Sequence, residues 1–145
     1  MLGEMLIQKG LLNREQLEEA LAEQARSKKF LGEILVKEAR IKEADLMLCL
    51  SEQFAMPFIS LADKYIDFNF VKAFSPSLIL DYRCFPLERD IWSVTMAINN
   101  PLDAWALKKA QDEVVPLKLK FVLILSSDMD DVIKRYRKYL QGNIP

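Results

Sequence analysis

The first third of the chain contains the same sequence pattern twice. Residues 2–24 read LGEMLIQKGLLNREQLEEALAEQ and residues 31–53 read LGEILVKEARIKEADLMLCLSEQ, at a constant offset of 29 residues without a gap. Such a duplication predicts two copies of one supersecondary unit that share an apolar core. The eight identical pairs are Leu2 and Leu31, Gly3 and Gly32, Glu4 and Glu33, Leu6 and Leu35, Leu17 and Leu46, Leu21 and Leu50, Glu23 and Glu52, and Gln24 and Gln53.

Each copy is predicted to form a short helix, a turn and a longer helix. In the first copy, apolar residues recur at i, i+3 and i+4 around Leu6 and again around Leu21, and the second copy repeats this spacing. Gly10 is predicted to end the first short helix, because glycine adopts the left-handed conformation of a helix end at low cost. Asn13 and Gln16 match the capping box that starts a helix.

The second copy departs from this pattern at its turn. Ala39 stands where the first copy has Gly10, and Lys42 stands where it has Asn13. A residue other than glycine held in the left-handed conformation costs about 1 kcal/mol. The second turn is therefore expected to be either strained or differently shaped.

Gly3 and Gly32 each begin a helical segment between a leucine and a glutamate. A helix start with a bare backbone offers N–H groups suited to phosphate or carboxylate. Two related copies would present two such ends, which suits a ligand with two phosphates. The leucines themselves are typical of a helix–helix core.

The second half of the chain changes to a pattern that includes strands. Pro57 ends the repeats, and Ser75-Pro76 starts a short helix to Leu80. A short strand is predicted in CFPLERD (84–90), with its charged turn at 88–90. Strands follow over 91–98 and 117–125, with helices over 103–114 and 127–140. In the strand over 91–98, we expect Trp92, Val94, Met96 and Ile98 to share one face. Asp103 is expected to cap the helix that follows, and Ser127 with Asp130 is expected to start the last helix.

The predicted fold class is therefore α+β, with an N-terminal helical lobe of two helix-turn-helix repeats packed on a small β-β-α-β-α lobe. We expect the duplicated helical lobe over 1–60, with its repeats at 2–24 and 31–53. A connecting segment with short helices follows over 61–82, and the small α/β lobe covers 83–145.

Composition excludes several classes of chemistry. The 145 residues include no histidine, which removes His-based triads and His-ligated metals. Only four glycines are present, and no G-x-x-x-x-G-K-[ST] phosphate loop can be written from them. We therefore expect no enzymatic activity, no catalytic residue and no metal site. A formal net charge of −1 argues against a nucleic-acid polymer as partner.

Cys49 and Cys84 are the only cysteines, and they are far apart in apolar surroundings. Two buried, reduced thiols are therefore expected, as in a cytoplasmic protein. No apolar stretch approaches the ~18–20 residues that span a membrane, so direct membrane insertion is not expected.

The repeated pattern Leu-Gly-x-x-Leu-x-x-x-Gly-x-Leu-x(4)-Leu-x(3)-Leu-x-x-Gln resembles the MshEN-type domain. That domain forms the amino-terminal part of type II secretion and type IV pilus assembly ATPases. The blocks MPFISL, YRCFPLERD, MAINNPLDAWAL and DDVIKRYRKYL are similar to later parts of the same domains. The resemblance therefore extends from Leu2 to Leu140.

The resemblance implies a possible ligand, cyclic di-GMP, which the two motifs wrap in one branch of the family. In that branch an arginine precedes each Leu-Gly, whereas Met1 and Phe30 occupy those positions here. Phenylalanine keeps a stacking face but offers no hydrogen-bond donor. We expect that the domain requires no cofactor. The implied binding residues are Leu2, Gly3, Leu6, Gly10, Leu12, Leu21, Gln24, Phe30, Leu31, Gly32, Leu35, Ile41, Leu50 and Gln53.

The resemblance favours a non-catalytic regulatory and docking domain. It would couple an ATPase motor domain, in cis or in trans, to the cytoplasmic domain of an inner-membrane platform protein, at the inner face of the bacterial inner membrane. Phe68, Phe70 and Phe74 are candidates for the partner surface if they are exposed. The alternative is a cyclic di-GMP receptor, for which Gly32→Glu is expected to remove nucleotide affinity and leave the fold intact.

Overall fold

A computed structural model describes residues 2–142, and the chain divides into two compact units. The helical unit is Met1–Ala55 and the α/β unit is Met56–Pro145. The helices are α1 (Leu2–Gln8), α2 (Arg14–Ser27), α3 (Leu31–Lys37), α4 (Glu43–Phe54), α5 (Phe68–Val71), α6 (Pro76–Leu80), α7 (Ala104–Val114) and α8 (Ser126–Leu140). The strands are β1 (Phe85–Arg89), β2 (Ser93–Ile98) and β3 (Lys118–Leu123).

In the helical unit, the two copies pack against each other. Helix α1 contacts α4, and α2 contacts α3. Ion pairs also join the copies, Lys9 with Glu52 at 2.9 Å and Arg40 with Glu19 at 2.8 Å. These side chains are 36–60% exposed, so the ion pairs add little to stability, and burial of the apolar side chains dominates. The repeat-matched leucines that form this core are Leu2, Leu6, Leu17, Leu31, Leu35, Leu46 and Leu50.

The α/β unit contains one three-stranded sheet in the order β1-β2-β3. Strands β1 and β2 are antiparallel, with an irregularity between Pro86 and Glu88, and β2 and β3 are parallel. Helix α7 makes the crossover between the parallel strands, as such a connection requires. The predicted α+β class and the β-β-α-β-α order are confirmed.

A cluster of aromatic rings lies in the core on one side of this sheet. The rings of Phe85 and Tyr136 meet edge to face at 6.4 Å between centroids, and those of Phe85 and Phe68 do so at 6.5 Å. Phe85 has no exposed surface. These contacts tie β1 to α5 and α8.

Residues 56–82 belong to the α/β unit and contribute apolar side chains to its core. The backbone at Pro57 and Ile59 hydrogen-bonds to Leu123, at 2.7 and 2.9 Å. The sequence predicts residues 56–60 in the helical lobe, because helical periodicity carries no information about pairing with a distant strand, whereas these residues lie in the α/β unit. The apolar residues Leu61, Ile66, Phe68, Val71 and Ile79 are buried in the same core cluster as the sheet.

The expected place of Trp92 on the β2 face is wrong. Asp90 Oδ1 accepts hydrogen bonds from the backbone N–H groups of Trp92 and Ser93, each at 2.7 Å. This turn starts the strand at Ser93 and leaves Trp92 72% exposed. These bonds also lower the pKa of the Asp90 carboxyl.

The expected cap of the last helix is also wrong. Helix α8 starts at Ser126 with Leu125 in the cap position, which provides no side-chain cap. The acidic side chains in the first turns of α8 contact other segments of the α/β unit instead of capping the helix. Asp128 accepts a hydrogen bond from Leu61 N at 3.1 Å, and Asp130 pairs with Arg83 at 2.7 Å. The expected cap of α7 is confirmed, because Asp103 accepts from Ala106 N.

Both thiols are buried and free, as predicted. Burial raises the pKa of the Cys84 thiol to about 12 and also raises that of Cys49, so neither is a ready nucleophile. Across residues 2–142, no helix combines the length and hydropathy needed to cross a membrane. Phe68 is buried and Phe70 and Phe74 are half-buried, so this aromatic trio is not an exposed partner surface.

Candidate functional site

The two turns of the repeat have the same backbone geometry. Gly10 and Ala39 are both left-handed, with φ of 74° and 58°. Ala39 therefore keeps the shape of the glycine turn and carries the strain. Equivalent pairs of backbone hydrogen bonds close each turn: Gly10 N to Ile7 O (3.0 Å) and Leu11 N to Leu6 O (3.0 Å), then Ala39 N to Val36 O (3.0 Å) and Arg40 N to Leu35 O (2.9 Å).

We expect Ala39→Gly to raise the free energy of unfolding by about 0.5–1 kcal/mol, because glycine removes the left-handed strain. Gly10→Ala should have the opposite effect, costing about 1 kcal/mol, since a Cβ at Gly10 meets nothing within 4 Å and only the conformation is penalised. Urea unfolding of both variants checks this. If the free energy of unfolding changed by the same amount and in the same direction in both variants, the assignment of strain to Ala39 would be contradicted.

The starts of the two long helices differ. In the first copy the predicted capping box is confirmed, with Asn13 Oδ1 accepting from Gln16 N at 2.7 Å and Gln16 Oε1 accepting from Asn13 N at 3.0 Å. In the second copy Lys42 makes no side-chain cap. The acidic residues Glu43 and Asp45 lie in the first turn of α4, where negative charge is favourable.

Gly3 and Gly32 are buried, and each lets two helices approach closely. A Cβ built on Gly3 would lie 2.7 Å from Leu17 Cδ1, and one on Gly32 would lie 2.9 Å from Leu46 Cδ2. Leu17 and Leu46 are themselves equivalent in the repeat. Helix packing therefore explains both glycines, and we expect Gly32→Glu to disturb this packing instead of leaving the fold intact.

Most of the implied ligand-binding residues lie in the core of the helical unit. The buried ones are Leu2, Gly3, Leu6, Leu12, Leu31, Gly32, Leu35, Ile41 and Leu50. Those with exposed or half-buried surface are Gly10, Leu21, Gln24, Phe30 and Gln53. Phe30 precedes α3 and is 37% exposed. Met1, at the other arginine position, lies outside the described residues.

One groove brings the two turns together. Its volume is about 640 Å³. It includes Gly10 and Ile41 from the implied set, and adds basic side chains from the second turn. The lining residues are Gly10, Leu11, Val36, Ala39, Arg40, Ile41, Lys42, Glu43 and Asp45.

Arg40 and Lys42 are candidate functional residues that the sequence analysis missed. The sequence contains one signal for this role, since Arg40 stands where the first copy has an apolar residue, Leu11. Its guanidinium donates to Glu19 Oε2 at 2.8 Å across the two copies. The groove thus contains the cations of Arg40 and Lys42 together with the carboxylates of Glu43 and Asp45. The partner of Arg40, Glu19, is a carboxylate that an anionic ligand could replace.

A second candidate surface lies on the α/β unit. Ile91 and Trp92 are each 72% exposed and Val115 is 61% exposed, and we call these three residues the tip patch. Trp92 O accepts a hydrogen bond from Lys118 N at 2.9 Å, which places the patch where β2 and β3 begin. Within residues 2–142, no group of three or more Cys, Asp or Glu side chains is arranged to hold a metal ion.

Known proteins identify the family. The family model described as the MshEN domain matches residues 54–142, more than half of the chain. The type IV pilus assembly ATPase PilB of Thermus thermophilus is 30% identical over 135 residues, and PilB of Myxococcus xanthus is 29% identical over 106 residues. These alignments cover 92% and 73% of this chain, but only 15% and 19% of the relatives.

Two solved structures share the fold. A structure of MshE with cyclic di-GMP superposes with a TM-score of 0.84 at 24% identity, covering 94% of this chain and 98% of that chain. The N-terminal domain of XpsE gives 0.74 at 19% identity, covering 93% of this chain and 92% of that chain. The resemblance that the repeats suggested is confirmed: the chain belongs to the MshEN domain family.

Proposed function

We propose that this chain is a non-catalytic regulatory and docking domain of a type IV pilus or type II secretion ATPase. It would couple the motor domain, in cis or in trans, to the cytoplasmic domain of an inner-membrane platform protein. The proposal places it in the cytoplasm at the inner face of that membrane. Its support is the MshEN family membership together with the pilus ATPases among its relatives.

The observation that carries the docking role is the tip patch. Three large apolar side chains of the α/β unit remain mostly in water although its core is well packed. Scattered exposed apolar residues are ordinary, but a group at one end of a sheet is typical of an interaction surface. Tryptophan is enriched among residues that dominate binding energy.

Trp92→Ala is expected to weaken binding of the platform protein's cytoplasmic domain at least about tenfold, because the indole would be a central contact. The free energy of unfolding should change by less than about 0.5 kcal/mol, since the side chain is exposed. Calorimetric titration and urea unfolding measure the two quantities on the same preparation.

Trp105→Ala is the matched control. Trp105 is 77% exposed and lies in the same unit, in the first turn of α7. It should leave the platform Kd within about twofold. Equal effects of the two substitutions, or no binding of the unaltered chain at about 50 µM, would contradict the docking role.

A second candidate function is a cyclic di-GMP receptor. The fold it shares with MshE bound to cyclic di-GMP favours this, as does the groove formed by both turns. Phe30 offers a ring for base stacking but no donor. Arg40 offers a donor of its own at the groove, because a guanidinium can bind a phosphate bidentately.

Titration of the chain with cyclic di-GMP, with GTP as control, tests this second function. We expect micromolar binding that Arg40→Ala weakens at least about tenfold, through loss of a charge-assisted phosphate contact. Arg26→Ala is the control, because Arg26 is exposed on α2 and pairs with Glu23 of the same helix. If no heat of binding is detected at about 50 µM cyclic di-GMP, the receptor function is contradicted and docking remains the sole proposed function.

A further inference from the structure

Strand β3 has one edge that is only partly covered. Its N–H groups alternate, because Lys118 N donates to Trp92 O and Ile124 N donates to Ile98 O on the β2 side. Leu123 N donates to the other side, to Pro57 O. By this alternation the N–H and C=O groups of Leu119 and Phe121 face away from β2.

The chain itself covers one end of this edge and cannot extend along it. Phe58 forms a single parallel bridge with Leu123. Extending this bridge by two residues would pair Met56 with Phe121, but Pro57 has no N–H group to donate to Phe121 O. Within the described part of the chain, Leu119 and Phe121 have no further backbone partner at this edge.

The side chains along the open edge alternate in chemistry. Lys118 and Lys120 are exposed on one face of the sheet, and Leu119 and Phe121 are half-buried on the other. Neither lysine belongs to an ion pair within residues 2–142, although the charge of Lys120 helps to lower the pKa of the Asp90 carboxyl. The tip patch adjoins the start of this edge through the bond from Lys118 to Trp92.

We propose that the open edge of β3 binds an extended segment of the partner protein as an additional strand. The added strand would have acidic residues beside Lys118 and Lys120 and apolar residues beside Leu119 and Phe121. Backbone hydrogen bonds provide affinity in such an addition, and the alternating side chains provide specificity. This inference rests on the proposed docking function and specifies which surface and which partner chemistry it uses.

A short peptide in which valine and glutamate alternate over seven residues is the direct probe. Titrated into the isotopically labelled chain, it should shift the amide resonances of Leu119 and Phe121 and slow their hydrogen exchange at least about tenfold. The amides of Lys120 and Val122 already bond to β2 and should change little. A peptide with lysine in place of glutamate is the control and should have no effect.

Protection of no amide, or of amides elsewhere only, would overturn the proposal. The lysines would then serve only to prevent unwanted pairing at an edge strand. Equal protection by the acidic and the basic peptide would overturn the charge assignment. Free amides at Leu119 and Phe121 should exchange rapidly before peptide is added, and slow exchange there would contradict the open edge.

Charge reversal separates this inference from the docking function. Lys118→Glu with Lys120→Glu should weaken binding of the platform cytoplasmic domain at least about tenfold. Lys134→Glu with Lys138→Glu, on the exposed face of α8, is the matched control and should change Kd less than about twofold.

If the platform domain binds the unaltered chain and the edge variant equally, the edge proposal is wrong and docking stands. If the platform domain does not bind the unaltered chain while the acidic peptide protects Leu119 and Phe121, docking to that protein is wrong and the edge site stands.

Discussion

Gly32→Glu is expected to lower the free energy of unfolding by about 3 kcal/mol or more. The glycine is buried, and a Cβ at this position would lie 2.9 Å and 3.1 Å from the two methyl carbons of Leu46. Leu46 is itself buried in the core of the helical unit, so its side chain has little room to move away. The glutamate would in addition place a carboxylate among apolar groups. Urea unfolding followed by circular dichroism measures the loss.

Gly10→Glu is the matched control. It introduces the same side chain into the same unit, but a Cβ at Gly10 meets nothing within 4 Å and points into open space. Its cost is therefore conformational, about 1 kcal/mol for a left-handed residue. Similar losses for the two variants would show that the contact between Gly32 and Leu46 is unimportant.

This result bears on any test of nucleotide binding. Loss of cyclic di-GMP binding in Gly32→Glu would follow from a damaged fold and would not identify a ligand contact. Arg40→Ala is the sharper probe, because Arg40 is on the surface and pairs with Glu19 in an exposed ion pair. Removing such a pair costs little stability, so a change in nucleotide affinity would report on the groove.

Local sequence signals were sufficient for most of the fold. The 29-residue offset and the apolar spacing predicted four helices of the repeat, and the capping box at Asn13 set the start of α2. The β-branched and alternating residues predicted the strands, and Asp103 predicted the start of α7. Each of these features is determined within a few residues along the chain.

The features that the sequence did not predict depend on contacts between distant residues. Whether Arg40 faces a groove depends on α2 packing against α3, which brings Glu19 within 2.8 Å of it. The pairing of Phe58 with Leu123 joins residues far apart in the chain. The turn at Asp90 is formed by neighbouring residues, but the sequence there is ambiguous. Ile91 and Trp92 favour a strand, whereas the Asp90 side chain favours a turn by accepting hydrogen bonds from the backbone of Trp92 and Ser93, and the structure forms the turn.

Phe85→Ala is expected to lower the free energy of unfolding by about 3–5 kcal/mol. The ring is fully buried and meets both Phe68 and Tyr136 edge to face, so its removal leaves a cavity and loses two aromatic contacts. Phe85→Leu is the control and should cost less than about 1.5 kcal/mol, since most of the volume is kept. Thermal or urea unfolding of both variants checks the difference, and equal losses would contradict the role of the ring cluster.

Comparison of Phe85→Ala with Trp92→Ala separates stability from binding in the α/β unit. Phe85→Ala should reduce binding of the platform domain only in proportion to the fraction of unfolded chain, so a temperature at which the variant is fully folded should restore the Kd. Trp92→Ala should reduce binding at every temperature at which the chain is folded, because its side chain is exposed and supports no core contact. A Phe85→Ala chain that is folded yet unable to bind would mean that the docking surface includes the aromatic core, contrary to the proposed role of the tip patch.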